Sequence, residues 1–405
     1  MKYIVVLGDG MADRAIPEFG GKTVLEAANK PNIDYMSEHG ELGMVKTVPD
    51  GLKPGSDVAN LSVMGYDVKS CYTGRSPLEA ASIGVKLRDD DVTFRANLVT
   101  LSDAEPFSEK VMVDYSAGEI STAEAAELIS AVEKELHTDI IHFYSGVSYR
   151  HLLVWTGGST NVTLTPPHDI SDKKIGDYLP KGDNSEKLLE LLMRSNEILK
   201  NHPVNQKRIK EGKNPATSLW FWGEGTKPGI ANFKERYGLK GSVISAVDLL
   251  KGIAICADMR SIDVPGATGN WDTNFDGKAQ AAFDTLTKDG ADYVYIHMEA
   301  PDECGHQGNP EKKKLSVELI DEKVAGFLKK TLDNHNIEYK MLIMPDHPTP
   351  VSIKTHTAEP VPYVIYSSGE KSGSGYSYSE KNAEKTGVYF DSGVELMKHF
   401  LKNEG

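Results

Sequence analysis

The stretch Met344-Pro-Asp-His-Pro-Thr-Pro-Val-Ser-Ile-Lys-Thr-His356 sets an adjacent aspartate and histidine, Asp346 and His347, and a third ligand-type residue, His356, directly after the apolar run Lys340-Met-Leu-Ile-Met344. The pattern recurs. Asp302 and His306 lie four residues apart in an expected Pro/Gly-bearing loop that follows Ala291-Asp-Tyr-Val-Tyr-Ile-His-Met298, and Asp9 stands just past Tyr3-Ile-Val-Val-Leu7. Carboxylate oxygens with imidazoles suit Zn²⁺ or Mn²⁺, and suit Mg²⁺ less well among so many histidines. A fourth stretch, Pro54-Gly-Ser-Asp-Val-Ala-Asn-Leu-Ser-Val-Met-Gly65, puts Ser56 where a helix could begin.

Each fragment has a plainer reading. Asp9 between two glycines could cap a helix or close a turn. Ser56 could be an N-cap or a nucleophile whose developing phosphate meets free backbone N–H groups. Cys304, inside the Asp302–His306 segment, could be a ligand or a bystander. The fragments gain weight together, because each cluster of ligand types follows a strand-like run. One sheet would carry them to one edge, at the carboxyl ends of its strands, where open α/β sheets place ligands. Three aspartates against two divalent cations leave one formal positive charge, enough to draw in a phosphate. Metal ligation lowers the pKa of bound water from 15.7 to ~7, and two ions ~3.5–4 Å apart stabilise attacking and leaving oxygens together; a serine hydroxyl should respond similarly. The chemistry implied is two-metal phosphoryl transfer.

That positive site would have to overcome the rest of the chain. The 405 residues carry 45 Lys+Arg against 59 Asp+Glu, a formal net charge of −14. Such a balance argues against nucleic acid and against an anionic membrane surface as partners. Hydrophobic content of 39% and charged content of 26% are those of a soluble globular protein, and the length suffices for two sizeable cores. Three cysteines (Cys71, Cys256, Cys304) without a CxxC pair fit a reducing compartment. No apolar stretch approaches the ~18 residues of a membrane span, and the expected setting is the cytoplasm.

The elements that must position these residues form an α/β rhythm at both ends of the chain. Strands are expected at 3–7, 241–245, 291–298, 341–344 and 362–366, with helices from Ala246 to about Gly252, from Lys312 to about Asn334 and from about Gly393. The Gly/Ser/Lys-rich stretch from Ser367 to about Lys385 reads as a mobile loop. Between residues 69 and 238 the character changes. Val92–Leu101 alternates like a half-buried strand, Ser121-Thr-Ala-Glu124 is a capping box opening a helix to about Leu136, a second amphipathic helix runs from Glu186, and Thr217–Trp222 is a further strand. The expected organisation is an α/β domain in two pieces, 1–68 and 239–405, with an α+β domain, 69–238, inserted between them.

These motifs, in this order, resemble the alkaline phosphatase superfamily, and more narrowly the cofactor-independent (2,3-bisphosphoglycerate-independent) phosphoglycerate mutases of archaeal type. The anchors are Gly8-Asp9-Gly10, Pro54-Gly-Ser56-Asp-Val-Ala-Asn, Glu299-Ala-Pro-Asp302-Glu-Cys-Gly-His306, Pro345-Asp346-His347 and Thr355-His356-Thr-Ala-Glu-Pro-Val-Pro, and they span essentially the whole chain. The resemblance implies an alkaline-phosphatase-like three-layer metal domain carrying an inserted cap domain. It implies one metal held by Asp302, His306 and His356, and another held by Asp9, Ser56, Asp346 and His347. Ser56 would be the nucleophile that takes the phosphate from one glycerate hydroxyl and returns it to the other, with no added 2,3-bisphosphoglycerate. Lys251 falls where the family keeps a lysine near the phosphoserine, and is equally readable as a solvated helix residue. The cap would bind the substrate as the domains close. Arg75, Arg95, Arg150 and His151, with Lys227 behind them, are the residues expected to meet a carboxylate there, each also readable as a surface ion-pair residue. The chain departs from the longer bacterial mutases in lacking a clear counterpart of their histidine-bearing glycerate loop and of their paired arginine motif. A branch with very similar motifs has been proposed as a homoserine kinase substitute, which makes homoserine the alternative substrate.

Overall fold

The computed structural model describes residues 1–369 and 373–402. Contacts divide the chain into two compact units, Met1–Tyr72 with Gly229–Gly405, and Thr73–Pro228. The breaks fall at 72/73 and 228/229 where 68/69 and 238/239 are expected; the second moves because the helix Phe233–Tyr237 belongs with the outer pieces, Phe233 being buried with its ring 4.7 Å from that of Tyr293.

The first unit is built on an eight-stranded sheet. Its order is Arg260–Ile262, Gly241–Ile244, Tyr293–Met298, Lys2–Gly8, Tyr339–Met344, Val361–Ser367, Glu41–Val45 and Tyr389–Phe390. Of these, Val361–Ser367 alone runs antiparallel to its neighbours. The central strands are continuous apolar runs because both faces are covered. One face packs Ile4, Val6, Val294, Ile296, Met341 and Ile343 with Ile33, Ala279, Val324 and Leu328 of the helical layer. The other carries Tyr3, whose ring meets Phe400 edge-on at 5.6 Å, and Tyr295, whose hydroxyl donates to Asn60 of the helix Ser56–Val63. The result is three layers, helix–sheet–helix.

Register is what matters for function. Gly8 lies beside Met298 and Leu7 beside Met344 in parallel pairing. The strands therefore end level, and Asp9, Asp302 and Asp346 leave the sheet at one edge.

Several expectations change here. The Asp302–His306 segment is not a loop but the helix Ala300–His306, begun by Pro301, whose fixed φ suits the first turn; a four-residue spacing then stacks both ligands on one face. The expected helix from Lys312 begins at Pro310 and widens into π geometry over Ile320–Gly326, where buried Asp321 accepts hydrogen bonds from Asn32 and the Ile33 N–H. The stretch expected as a mobile loop contains the helix Glu380–Thr386 and the buried Tyr378, whose hydroxyl donates to the Pro362 carbonyl. Its residues 370–372 lie outside the described residues.

The second unit holds a five-stranded antiparallel sheet centred on Asp91–Leu101, which pairs with Arg150–Thr156, Ser218–Thr226 and Met112–Asp114; Ile141–Tyr144 completes it. The helices Thr122–Leu136 and Ser185–Leu199 supply its main core with Phe94, Ala96 and Leu98. The central strand is buried along its whole length rather than half-buried. Its polar residues are buried because each finds a partner: Thr93 with Ser76, Arg95 with Glu79, and Asn97 with Trp222 and Tyr115.

Candidate active site

Asp9 is fully enclosed just past the first strand, with its N–H donating to the Met298 carbonyl at 2.9 Å. It caps no helix. Oδ2 accepts from His297 Nε2 at 2.8 Å, while Oδ1 is buried with no hydrogen-bond partner, 3.5 Å from His347 Nε2. Asp346, equally buried, accepts from the Gly10 N–H (3.1 Å), its neighbour's N–H (2.8 Å) and Asn60 Nδ2 (2.8 Å). Asn60 also holds the Ser56 carbonyl at 2.8 Å and takes the Tyr295 hydroxyl, so one amide ties the helix of Ser56 to the sheet edge.

Ser56 is the first residue of the helix Ser56–Val63, behind Gly55, and its side chain makes no capping bond. Its Oγ instead lies 3.3 Å from His347 Nε2. The serine thus stands at the first N–H groups of a helix, where anionic oxygen is favoured, although that of Val58 already donates to Asp57 Oδ1 at 2.9 Å.

The second carboxylate cluster is centred on Asp302. His306 Nε2 lies 3.2 Å from its Oδ2 and His356 Nε2 3.4 Å from its Oδ1, and the two imidazole nitrogens are 2.9 Å apart. Thr349 Oγ1 donates to Asp302 Oδ1, and can therefore only accept from His347 Nδ1, 3.3 Å away. His306 Nδ1 donates to the Lys354 carbonyl at 3.0 Å. These bonds turn Nε2 of both rings toward the carboxylates, the arrangement second neighbours impose on metal-binding histidines.

Gly10 closes the floor of the site. It adopts φ +60°, and a Cβ there would lie 2.5 Å from Thr349 Oγ1, 2.6 Å from Asp302 Oδ1 and 2.8 Å from Asp302 Cα. Behind it Lys313 is wholly buried, its ammonium donating to the carbonyls of Ala12 (3.1 Å) and Thr349 (2.8 Å) and to Asp13 Oδ2 (2.7 Å). Asp13's own N–H donates to Glu380, which also takes the Thr23 hydroxyl.

The electrostatics are those of a cluster that needs cations. Burial first, then the charges of Asp346, Asp302 and Glu299, push Asp9 well above the usual carboxylate range. Burial would also raise Asp302, but the bonds from His306 and His356 hold it well below that range. The same bond lifts His306 to about 9, so that a proton sits where a cation could. His347 is pushed down by burial, and His297 is pushed down to about 3 by burial and then by the charge of Lys278. Ligand atoms of Asp302, His347 and His356 lie within 4.8 Å of one another, as do those of Asp9, Asp346 and His347. The orphaned Asp9 oxygen, the fixed imidazole tautomers and the mixed O/N donor set fit divalent cations.

All seven ligand-type residues singled out in the sequence are therefore gathered at one edge. The grouping differs in one respect: His347 lies between both clusters, while His306 meets the Asp302 cluster alone. Lys251 is held by an acidic partner. It lies on the helix Asp248–Cys256, with Nζ 2.7 Å from Asp263. Cys304 points away, its Sγ 3.8 Å from Ser316 Oγ.

In the second unit, Arg75 and Arg95 share Glu79 (3.3 and 3.0 Å), and the Arg95 guanidinium lies 4.1 Å over the Trp222 ring. Arg150 is exposed beside Tyr149, close enough for its charge, with that of Arg75, to help lower the pKa of Arg95 below burial's own effect. His151 is buried rather than presented. Its Nδ1 accepts from the Gly146 N–H at 3.0 Å, its Nε2 has no partner, and burial pushes its pKa down to about 3. Lys227 pairs with Asp89 at 2.8 Å.

Over 402 residues the chain is 50% identical to a probable 2,3-bisphosphoglycerate-independent phosphoglycerate mutase of Geobacter sulfurreducens, covering 99% of this chain and 100% of that one. This chain belongs to the 2,3-bisphosphoglycerate-independent phosphoglycerate mutase family. A mutase of that name from Methanosarcina barkeri is 48% identical over 404 residues, covering 99% of this chain and 100% of the other. The family profile matches residues 37–205. Among solved structures, a Pyrococcus horikoshii protein superposes with a TM-score of 0.80 at 29% identity, over 100% of this chain and 98% of that one. The cofactor-independent phosphoglycerate mutase of Thermoplasma acidophilum superposes with a TM-score of 0.69 at 27% identity, over 99% of both chains.

Sequence reasoning missed Asn60, His297, Thr349 and Lys313. Two had a signal: Asn60 sits one helical turn after Ser56, and His297 is a lone imidazole in an otherwise apolar strand. Lys313 had none, since a lysine on an amphipathic helix reads as solvated.

Proposed function

We propose that this chain is a phosphoglycerate mutase interconverting 3-phosphoglycerate and 2-phosphoglycerate through phosphorylated Ser56. The observation that carries the reading is the Ser56 hydroxyl at a helix N-terminus, 3.3 Å from His347 Nε2, beside the buried Asp9, Asp302, Asp346 and His347 and the half-buried His306 and His356. The names of the relatives support the same reaction, and the homoserine alternative finds no support among them.

Asp302, His306 and His356 would hold one divalent ion, and Asp9, Asp346, His347 and Ser56 the other. Mn²⁺ or Zn²⁺ suits the histidine-rich set better than Mg²⁺. When bound, the ions supply charge neutralisation and Lewis acidity. The chain's own part is to position. Ser56 Oγ bonds to phosphorus as the bond to O3 of the glycerate breaks, and its proton ends on O3. O2 then attacks the phosphoserine, the Oγ–P bond breaks, and the proton lost from O2 ends on Oγ, which regenerates Ser56. N–H groups at the start of its helix stabilise the transferred anion. Arg75 and Arg95, which share Glu79, together with Arg150 are proposed to meet the substrate's carboxylate and phosphate charges. His151 and Lys227 are proposed in supporting roles only, since one is buried and the other already ion-paired. Among the described residues no helix is long and apolar enough to cross a membrane; with the three cysteines free, a cytoplasmic setting is proposed.

The test is a coupled assay on chelator-treated protein given 3-phosphoglycerate and Mn²⁺ without 2,3-bisphosphoglycerate. Formation of 2-phosphoglycerate that depends on the metal and is lost in Ser56→Ala supports the proposal. Full turnover in chelator, or in Ser56→Ala, rules it out.

A further inference from the structure

His297 belongs to the strand Tyr293–Met298 and has no exposed surface, and it faces a carboxylate of the site from behind rather than from within the cluster. Both of its ring nitrogens are engaged. Nε2 is 2.8 Å from Asp9 Oδ2, and Nδ1 is 3.2 Å from Ser245 Oγ. Ser245 Oγ accepts the Val247 N–H at 3.0 Å, which leaves its own hydrogen for Nδ1. An Asp9 carboxylate that binds a cation can only accept, so Nε2–H donates to it and Nδ1 takes the Ser245 hydroxyl hydrogen. Lys278, itself buried, fixes the backbone at this point by donating to the His297 carbonyl at 3.0 Å.

We infer that the Ser245–His297 relay is a positioning device for Asp9, holding Oδ2 by a neutral donor so that Oδ1 is presented, unpaired, to a divalent cation. The inference rests on the two-metal reading proposed above. The chemistry explains the choice of residue. A buried Arg or Lys in this place would orient the carboxylate but offset its charge, leaving less to attract a cation. A neutral imidazole whose tautomer is set from behind orients without neutralising, as outer partners of metal-binding groups do. The orphaned Oδ1 is the second sign of the same design, since buried carboxylate oxygens are otherwise hydrogen-bonded.

The test titrates chelator-stripped wild type, H297Q and H297F with Mn²⁺, reading the free ion by electron paramagnetic resonance, with melting curves of the stripped proteins alongside. Gln restores a donor near Nε2; Phe fills the space without one. If wild type fails to take two ions per chain, the two-metal reading itself is lost. If it takes two, H297F should keep one tight site and weaken the other by ~10–100-fold, and H297Q should recover most of that loss. Wild-type affinity at both sites in H297F overturns the inference, and so does an equal loss in H297F and H297Q, which would mark the ring as packing alone. If H297F does not melt cooperatively, S245A decides. It leaves the strand intact but frees the ring to take the other tautomer, so it should weaken the same site, and unchanged binding overturns the relay.

Discussion

Gly10 is where a single methyl group tests the geometry most severely. It lies between Asp9 and the Asp302 helix at φ +60°, a left-handed conformation that costs a residue with a Cβ roughly 1–2 kcal/mol. The added Cβ would sit 2.5 Å from Thr349 Oγ1, 2.6 Å from Asp302 Oδ1 and 2.8 Å from Asp302 Cα, where ordinary contact begins at 3.4 Å. The Cα belongs to a helix backbone, so relief requires moving the helix that carries both Asp302 and His306. Strain and displacement together should cost about 2–4 kcal/mol of folding stability, in the range of overpacked cores. A shift approaching 1 Å in catalytic groups lowers turnover by ~100-fold. Gly10→Ala is therefore expected to fold, to melt earlier in urea, to bind Mn²⁺ more weakly at the Asp302 cluster, and to lose most of kcat at saturating metal. Wild-type metal affinity and kcat in Gly10→Ala would refute the packing that brings Asp9, Asp302 and Thr349 together.

Lys313→Met leaves the Asp13 carboxylate buried without its cation and should cost about 3–5 kcal/mol in urea unfolding, with Asp13→Asn/Lys313→Met recovering part of it. His151 supplies a pH test. Its pKa is about 3 in the fold against 6.5 for an ordinary imidazole, so between those values the unfolded chain binds a proton that the folded one does not. Stability should fall as pH drops below about 6.5, by up to ~1.4 kcal/mol per pH unit from this group, and His151→Gln should flatten that slope in urea titrations of stripped protein. His306→Ala should weaken one metal, with activity partly regained at high Mn²⁺; full activity in chelator would remove the metal requirement. Lys251→Met removes the Asp263 pair; kcat should change little if that pair is the amine's whole role, and a large loss would place Lys251 at the phosphoserine.

The ligands were legible in the sequence because each sits where an apolar run stops, and parallel register then carries such positions to one sheet edge. Asp9, Asp346 and His347 needed nothing more. The helix under Asp302 and His306 was obscured by Pro301 and Gly305, which read as turn residues, although proline at a first helical position is compatible with helix. The stretch after Ser367 was misread for a similar reason: its composition is that of a loop, while Tyr378 and Glu380 anchor it through contacts distant in sequence. The same limit hid Lys313 and the Ser245–His297 pair, whose meaning depends on residues roughly 50 to 300 positions away. In the second unit the arginines were visible as candidates, but which of them share a glutamate, and that His151 points inward, depends on strand pairing.

The central claim is that phosphate passes through Ser56. Stripped protein mixed with 3-phosphoglycerate and Mn²⁺, quenched in acid within the turnover time and mapped by peptide mass spectrometry, should show phosphate on the Ser56 peptide. The phosphate should be absent in chelator and in Ser56→Ala. Formation of 2-phosphoglycerate at full rate with no phosphate ever found on Ser56 would contradict the account.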